Sequence, residues 1–161
     1  DVEEKISALV NGLKIPVGFH AHNNLGLAIS NSITAIEAGA KILDGTARGF
    51  GAGAGNAQLE VLIAVLEKLG YFTGIDLNKI LDASDIAEKE LIPQIPVIKS
   101  ESIISGLSGV FSGFSKHVTR ISKEYDVDSR DVYRELGKRK VVAGQEDIII
   151  EVVLELIKNH K

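Results

Sequence analysis

Apolar residues recur at two different periods along this chain, and the change from one to the other divides it. Val2, Ile6, Leu9, Val10 and Leu13 fall at helical spacing and end near Gly12, so the first residues read as the tail of a helix. Residues 15–22, Ile-Pro-Val-Gly-Phe-His-Ala-His, read as a strand with Pro16 near its start, where a missing N–H does least harm. Asn23 and Asn24 then cap a helix over about 25–38, with Leu25, Ile29, Ile33 and Ile36 as its inward stripe and Gly39 as its stop. Residues 40–47 form a second short strand. A loop with Gly49, Gly51, Gly53 and Gly55 follows, and then a helix over 56–69 with Leu59, Leu62, Ile63, Leu66 and Leu69 inward, stopped by Gly70.

Alternating strands and helices with short loops predict a parallel α/β sheet. The two strand–helix units occupy only about the first 75 residues, whereas a closed eight-stranded barrel needs roughly 250. After Gly74 the pattern becomes helical. Residues 76–90 predict a helix, Pro93 and Pro96 punctuate a connector, and 97–161 carries helical periodicity throughout. The expected organisation is therefore 1–75 as α/β units, 76–96 as connecting helix and linker, and 97–161 as a helical domain. Within the last, Asp128 reads as an N-cap with Asp131 at the third helical position. Gly137 and Lys138-Arg139-Lys140 close that helix on its negative end, and Gln145-Glu146-Asp147 opens a final one on its positive end. The final helix is apolar nearly all round, interrupted by Glu151 and Glu155, which predicts burial on two sides and hence a partner surface or an oligomer.

Composition narrows the picture. With 18 basic and 22 acidic residues the net charge is -4, which argues against a nucleic-acid partner. No apolar run approaches the roughly 20 residues of a membrane span. The absence of cysteine removes disulfides and thiolate chemistry and fits a cytoplasmic protein. The chain starts at Asp1 and contains no methionine; with a helix tail at its start, it reads as an excerpt of a longer protein.

The residues with most chemical content are His20 and His22. At positions i and i+2 of a strand two imidazoles share a face, at the C-terminal end where barrel and open-sheet enzymes keep their sites. There they can ligate one metal ion; the competing reading is two histidines at a polar strand end. Imidazole favours manganese, iron, cobalt, nickel or zinc over magnesium or calcium. A carboxylate is expected as third ligand. Asp44 is a candidate, or a turn residue in Asp44-Gly45. The loop Gly49–Gly55 either cradles a phosphate on backbone N–H groups or, at Gly53, lets the backbone approach a substrate closely; it matches no complete nucleotide motif. Asn56 either offers its amide to substrate or metal, or caps the next helix. Lys116, His117 and Arg120 read as a solvated face, and Phe114, Tyr125 and Tyr133 as core or interface.

The motifs His20-Ala21-His22-Asn23-Asn24-Leu25-Gly26 and Gly51-Ala52-Gly53-Ala54-Gly55-Asn56-Ala57 resemble the metal-dependent pyruvate-aldolase and Claisen-condensing superfamily. Gly109-Val110-Phe111-Ser112-Gly113-Phe114, Lys116-His117, Arg134 to Lys140 and Gly144-Gln145-Glu146-Asp147 resemble the communication domain of its 4-hydroxy-2-oxovalerate aldolase family. The resemblance covers essentially the whole chain. It implies the C-terminal part of a (β/α)8 barrel followed by a mostly helical communication domain. It also implies manganese (Mn2+) bound by His20 and His22, with a substrate site that includes Phe111, Asn56 and Gly53. The implied reaction is cleavage of 4-hydroxy-2-oxopentanoate to pyruvate and acetaldehyde, and the implied partner is an acylating acetaldehyde dehydrogenase. The family's third ligand, an Asp near the first barrel strand, and its catalytic Arg and His base would lie outside this chain, which counts against Asp44 as a ligand. Phe111 stands where the family usually has a tyrosine, and Ala143-Gly144 where it often has Gly-Gly. An acyl-CoA-dependent synthase and a non-catalytic docking fragment are the alternatives.

Overall fold

Asp1 begins the first helix as its cap, accepting the Glu3 N–H at 3.0 Å. Helix α1 (Val2–Gly12) carries Glu3 and Glu4 in its first turn, on the positive end of its dipole. The computed structural model describes residues 1–159 and comprises two units, one over residues 1–97 and one from Ile98 onward.

In the first unit, strand β1 (Gly18–Phe19) pairs in parallel with β2 (Ile42–Leu43), in the register Gly18↔Ile42 and Phe19↔Leu43. Both are shorter than the expected strands over 15–22 and 40–47. Among the described residues each has only the other as a ladder partner, so regular pairing stops where the two diverge. Beyond it, His22 makes an antiparallel bridge with Asn56 and Thr46 a parallel bridge with Gln58. The ends of both strands are thus tied to the segment after the glycine loop.

Helix α2 (Ala28–Glu37) starts three residues later than expected. Asn23 serves it from a distance, its Oδ1 accepting the Ala28 N–H at 3.2 Å. Its fully buried positions are Ala28, Ser32 and Ala35 rather than the expected isoleucine stripe, whose Ile29, Ile33 and Ile36 are half-buried while Leu25 is exposed. Small side chains let the helix lie close on the strands, and the buried Ser32 hydroxyl is satisfied by the Ala28 carbonyl at 2.8 Å. Ile6, Val17, Ala35 and Ala40 form one core; Ala21, Ala28 and Ala57 form another beneath the strand ends.

Helix α3 (Leu59–Lys68) buries Leu62, Ile63 and Leu66 as expected, but it also buries Glu60 and leaves Leu69 exposed. Helix α4 (Leu77–Glu90), capped by Asp76 on the Lys79 N–H at 3.1 Å, packs against α3 and against a 3-10 turn at Ala47–Gly49.

The second unit contains α5 (Ser100–Ser108), α6 (Ser115–Glu124), α7 (Ser129–Lys138) and α8 (Ile148–Asn159). Phe114, Val118, Val132, Tyr133, Leu136, Ile149, Val152 and Val153 are sealed in its core. Asp128 caps α7 as expected, bonding the Arg130 N–H at 2.9 Å. Gly137 lies inside α7 rather than ending it. A Cβ there would come within 2.4 Å of the Ser108 carbonyl oxygen, so this glycine permits the close approach of α7 to the end of α5. Arg139 pairs with Glu151 and Glu155, the two acids that interrupt the apolar α8. That helix buries Ile149, Val152 and Val153 on one face and exposes Ile150 and Leu154. Burial on two sides is therefore not met within the described unit. Among the described residues no helix is long and apolar enough to cross a membrane.

Candidate metal centre

The strand register dictates which side chains meet. Because Phe19 pairs with Leu43, the next residue of each strand, His20 and Asp44, emerge side by side. His20 Nδ1 lies 2.5 Å from Asp44 Oδ1. His22, two residues on and past the regular strand, still comes to the same place, its ring centroid 5.0 Å from that of His20 and the planes at 82°. Its imidazole hydrogen-bonds the Gly55 carbonyl. Partial desolvation, and then the neighbouring His20, hold His22 below the ordinary histidine pKa. The neutral ring, which is the metal-binding form, is thereby favoured.

The glycine loop is built around Asn56. The Asn56 side chain is buried; its Nδ2 donates to the Phe50 carbonyl at 3.3 Å, and its N–H donates to the Gly49 carbonyl at 2.9 Å. Its Oδ1 is buried with no hydrogen-bond partner among the described residues. A Cβ on Gly51 would sit 2.4 Å from Asn56 Nδ2, and one on Gly55 would sit 2.3 Å from the Gly49 carbonyl oxygen and 2.8 Å from Pro96. Gly53 has φ 64°, a left-handed conformation that suits glycine. Asn24 Oδ1 accepts the Ala54 N–H at 3.2 Å. The N–H groups of Gly49, Phe50, Ala54, Gly55 and Asn56 are all committed inside the protein. These bonds pin both ends of the loop and leave its tip, residues 51–53, to either reading. The capping role for Asn56 is not observed, because α3 begins at Leu59 with Gln58 as its cap.

One cluster was not anticipated from the sequence. Arg48, in the left-handed conformation at φ 52°, holds Glu60 through Nη1 at 3.1 Å, Glu88 through Nε at 2.6 Å, and Asp85 through Nη2. Glu60 is only 3% exposed and also accepts from the Ser84 hydroxyl at 3.1 Å. Hydrogen bonds to Glu88 and Glu60 raise the Arg48 pKa further above its usual value. The network fastens the start of the glycine loop to α3 and α4. A lone acid at an inward position of an apolar helix, Glu60, is the signal that would have found it.

His20, His22, Asn56 and Gly53 therefore lie on one stretch of bridged strand end and loop. Phe111 lies in the second unit, half-exposed on the turn between α5 and α6, its ring against Gly113. His117 is exposed, as are Lys116 and Arg120. Among the described residues no group of three or more His, Cys, Asp or Glu side chains is placed to hold a metal ion. Asp44 thus does not complete a triad with the histidines, and the side chain it touches is His20. Two adjacent imidazoles, each with one nitrogen already engaged, and an unpartnered buried amide oxygen fit part of a divalent-ion site of mixed nitrogen and oxygen donors.

Comparison with known proteins gives the family. An HMGL-like family model matches residues 1–87 and a DmpG-like communication domain matches residues 96–158. The 4-hydroxy-2-oxovalerate aldolase of Pectobacterium atrosepticum is 62% identical over 100% of this chain and 47% of its own length. That of Spirochaeta aurantia is 65% identical over 97% of this chain and 46% of its own. The chain spans about half the length of the curated relatives it matches. Among solved structures, the carboxyl transferase domain of Rhizobium etli pyruvate carboxylase with 3-hydroxypyruvate superposes with a TM-score of 0.76. It covers 99% of this chain and 29% of that one at 16% identity, a likeness of fold alone. These matches make the first unit part of an HMGL-like TIM-barrel domain and the second a communication domain. The chain belongs to the HMGL-like family, alongside the 4-hydroxy-2-oxovalerate aldolases.

Proposed function

We propose that this chain is the C-terminal half of a divalent-metal-dependent aldolase that cleaves 4-hydroxy-2-oxopentanoate to pyruvate and acetaldehyde. The observation that carries the reading is the His20–His22 pair, 5.0 Å apart at the end of a parallel strand, in a chain 62% identical to an aldolase of that name. His20 and His22 are the ligands this chain contributes to the ion, with Mn2+ as the expected metal. When bound, the ion acts as a Lewis acid on the 2-oxo acid. Asn56 offers its buried, unpartnered Oδ1 as an acceptor for substrate or a ligand for the metal, and Gly53 leaves room for the substrate to approach the backbone. Phe111, where the resemblance implies a tyrosine, bears on the choice of aldehyde. The third ligand and the general base come from outside these residues, so the 161-residue chain by itself is expected to be inactive.

The helical unit is the surface for an acylating acetaldehyde dehydrogenase, which takes up the aldehyde, and the exposed Ile150 and Leu154 of α8 are available for that contact or for oligomer formation. A cytoplasmic location accompanies this role. The test is pyruvate release from 4-hydroxy-2-oxopentanoate by the full-length enzyme, with Mn2+ and without any acyl-CoA. Release is expected with the ion and lost in a His20→Ala, His22→Ala double variant. Turnover only with an acyl-CoA would replace the aldolase by a Claisen-type synthase. Dehydrogenase binding with no turnover under any condition would leave a docking module.

A further inference from the structure

We infer that Asp44 is a positioning residue for His20: its carboxylate accepts the hydrogen bond from Nδ1–H and leaves Nε2 as the nitrogen that binds the metal. The inference rests on the reading above that His20 is a ligand. A neutral imidazole carries one N–H, and the acceptor that N–H finds decides which nitrogen keeps its lone pair. Here the acceptor is Asp44 Oδ1, 2.5 Å from Nδ1. The contact follows from backbone register, since the parallel pair Phe19↔Leu43 leads directly to His20 and Asp44, and the Asp44 N–H is itself held by the Phe19 carbonyl at 3.3 Å. Asp44 is therefore fixed by the strand pair and not by a free loop.

The ligand and turn readings of Asp44 account for less. No triad with His20 and His22 forms among the described residues. Gly45 has its own reason to be glycine, because a Cβ there would sit 2.8 Å from the Ala57 carbonyl oxygen; the Asp44-Gly45 pair need not be a turn signal. His22 is treated in parallel fashion, its ring bonded to the Gly55 carbonyl. Both rings are thus oriented by an acceptor outside the ligand set, as metal-binding histidines commonly are.

The experiment uses the full-length enzyme and its Asp44→Ala and Asp44→Asn variants. Long-range proton–nitrogen spectra of the metal-free protein report the tautomer of each histidine, and Mn2+ titration followed by electron paramagnetic resonance reports affinity. In the unchanged enzyme His20 is expected as the Nδ1–H tautomer. Asp44→Ala should shift it toward Nε2–H and weaken Mn2+ binding by about 10–100-fold. Asp44→Asn, whose amide oxygen still accepts, should recover part of both. The tautomer of His22 should not change, which checks that the loop stays folded. An unchanged His20 tautomer and affinity in Asp44→Ala would overturn the inference. So would loss of Mn2+ in both variants as complete as in His20→Ala, because Asp44 would then be a ligand. If the unchanged enzyme binds no divalent ion, the metal reading fails and the ligand half of this inference fails with it; an Nδ1–H tautomer of His20 that is lost in Asp44→Ala would then support only the positioning of the ring by Asp44.

Discussion

Gly55 and Gly70 hold nearly the same backbone angle, φ +86° and +85°, in opposite surroundings. A side chain on Gly55 meets the Gly49 carbonyl and Pro96, whereas nothing lies within 4 Å of the corresponding position on Gly70. Gly70→Ala is expected to cost only the left-handed conformation, about 1–3 kcal/mol. Gly55→Ala should cost clearly more and disturb His22, whose ring leans on the Gly55 carbonyl. Denaturant unfolding of the two variants checks this, and equal losses would contradict the packing account of the loop. The spacing of these glycines was plain in the sequence, but their reason was not. Glycine that makes room for a ligand and glycine that makes room for an asparagine look alike until the neighbouring atoms are placed. The closeness of His20 and His22 could be expected from i, i+2 spacing, yet their partners could not. Asp44 reaches His20 through strand register, and register depends on which strands pair.

At the scale of the elements, Arg48 links one turn to two helices. Removing it strands Glu60, 3% exposed, without its counter-charge. Arg48→Ala is expected to destabilise by about 3–5 kcal/mol, as for a broken buried pair. A further Glu60→Gln change should restore part of that. A loss below about 1 kcal/mol, the range of surface pairs, would make the network incidental. Asp128 at the start of α7 offers a test by pH. Hydrogen bonds from the Arg130 guanidinium and backbone N–H hold its carboxyl down to about 2. A depressed acid favours the folded state above its ordinary value of about 3.9. That contribution is lost as pH falls from there to about 2. Asp128→Ala should remove this part of the acid slope and cost about 1 kcal/mol near neutral pH through the lost cap. An unchanged acid-unfolding profile would contradict it.

The order of strands and helices was legible because apolar periodicity is local. Their lengths were not, since β1 and β2 each find only one partner among the described residues. Nor was the buried face of α2 legible. Its isoleucines mark the obvious stripe, but Ala28, Ser32 and Ala35 pack closest because they are small.

At the scale of the whole molecule, the α/β character of the first part and the helical character of the second were both readable from the change of period after Gly74. The core around Phe114, Tyr133 and Ile149 draws only on residues of the second unit. Residues 98–161 expressed alone are therefore expected to give a helical circular-dichroism spectrum and a cooperative thermal transition. A non-cooperative, unfolded spectrum would contradict an independent core. What no local pattern could supply is the rest of the site proposed above. A barrel gathers catalytic groups from strands far apart in sequence, and the curated relatives are about twice as long as this chain.

The most direct test of the proposed metal role is pulsed electron paramagnetic resonance of Mn2+ bound to the full-length enzyme, which detects nitrogen nuclei coordinated to the ion. Coupling to imidazole nitrogen that weakens in His20→Ala, weakens in His22→Ala and disappears in the double variant is the predicted result. Bound Mn2+ without imidazole coupling, or coupling that survives the double variant, would contradict the assignment of His20 and His22 as its ligands.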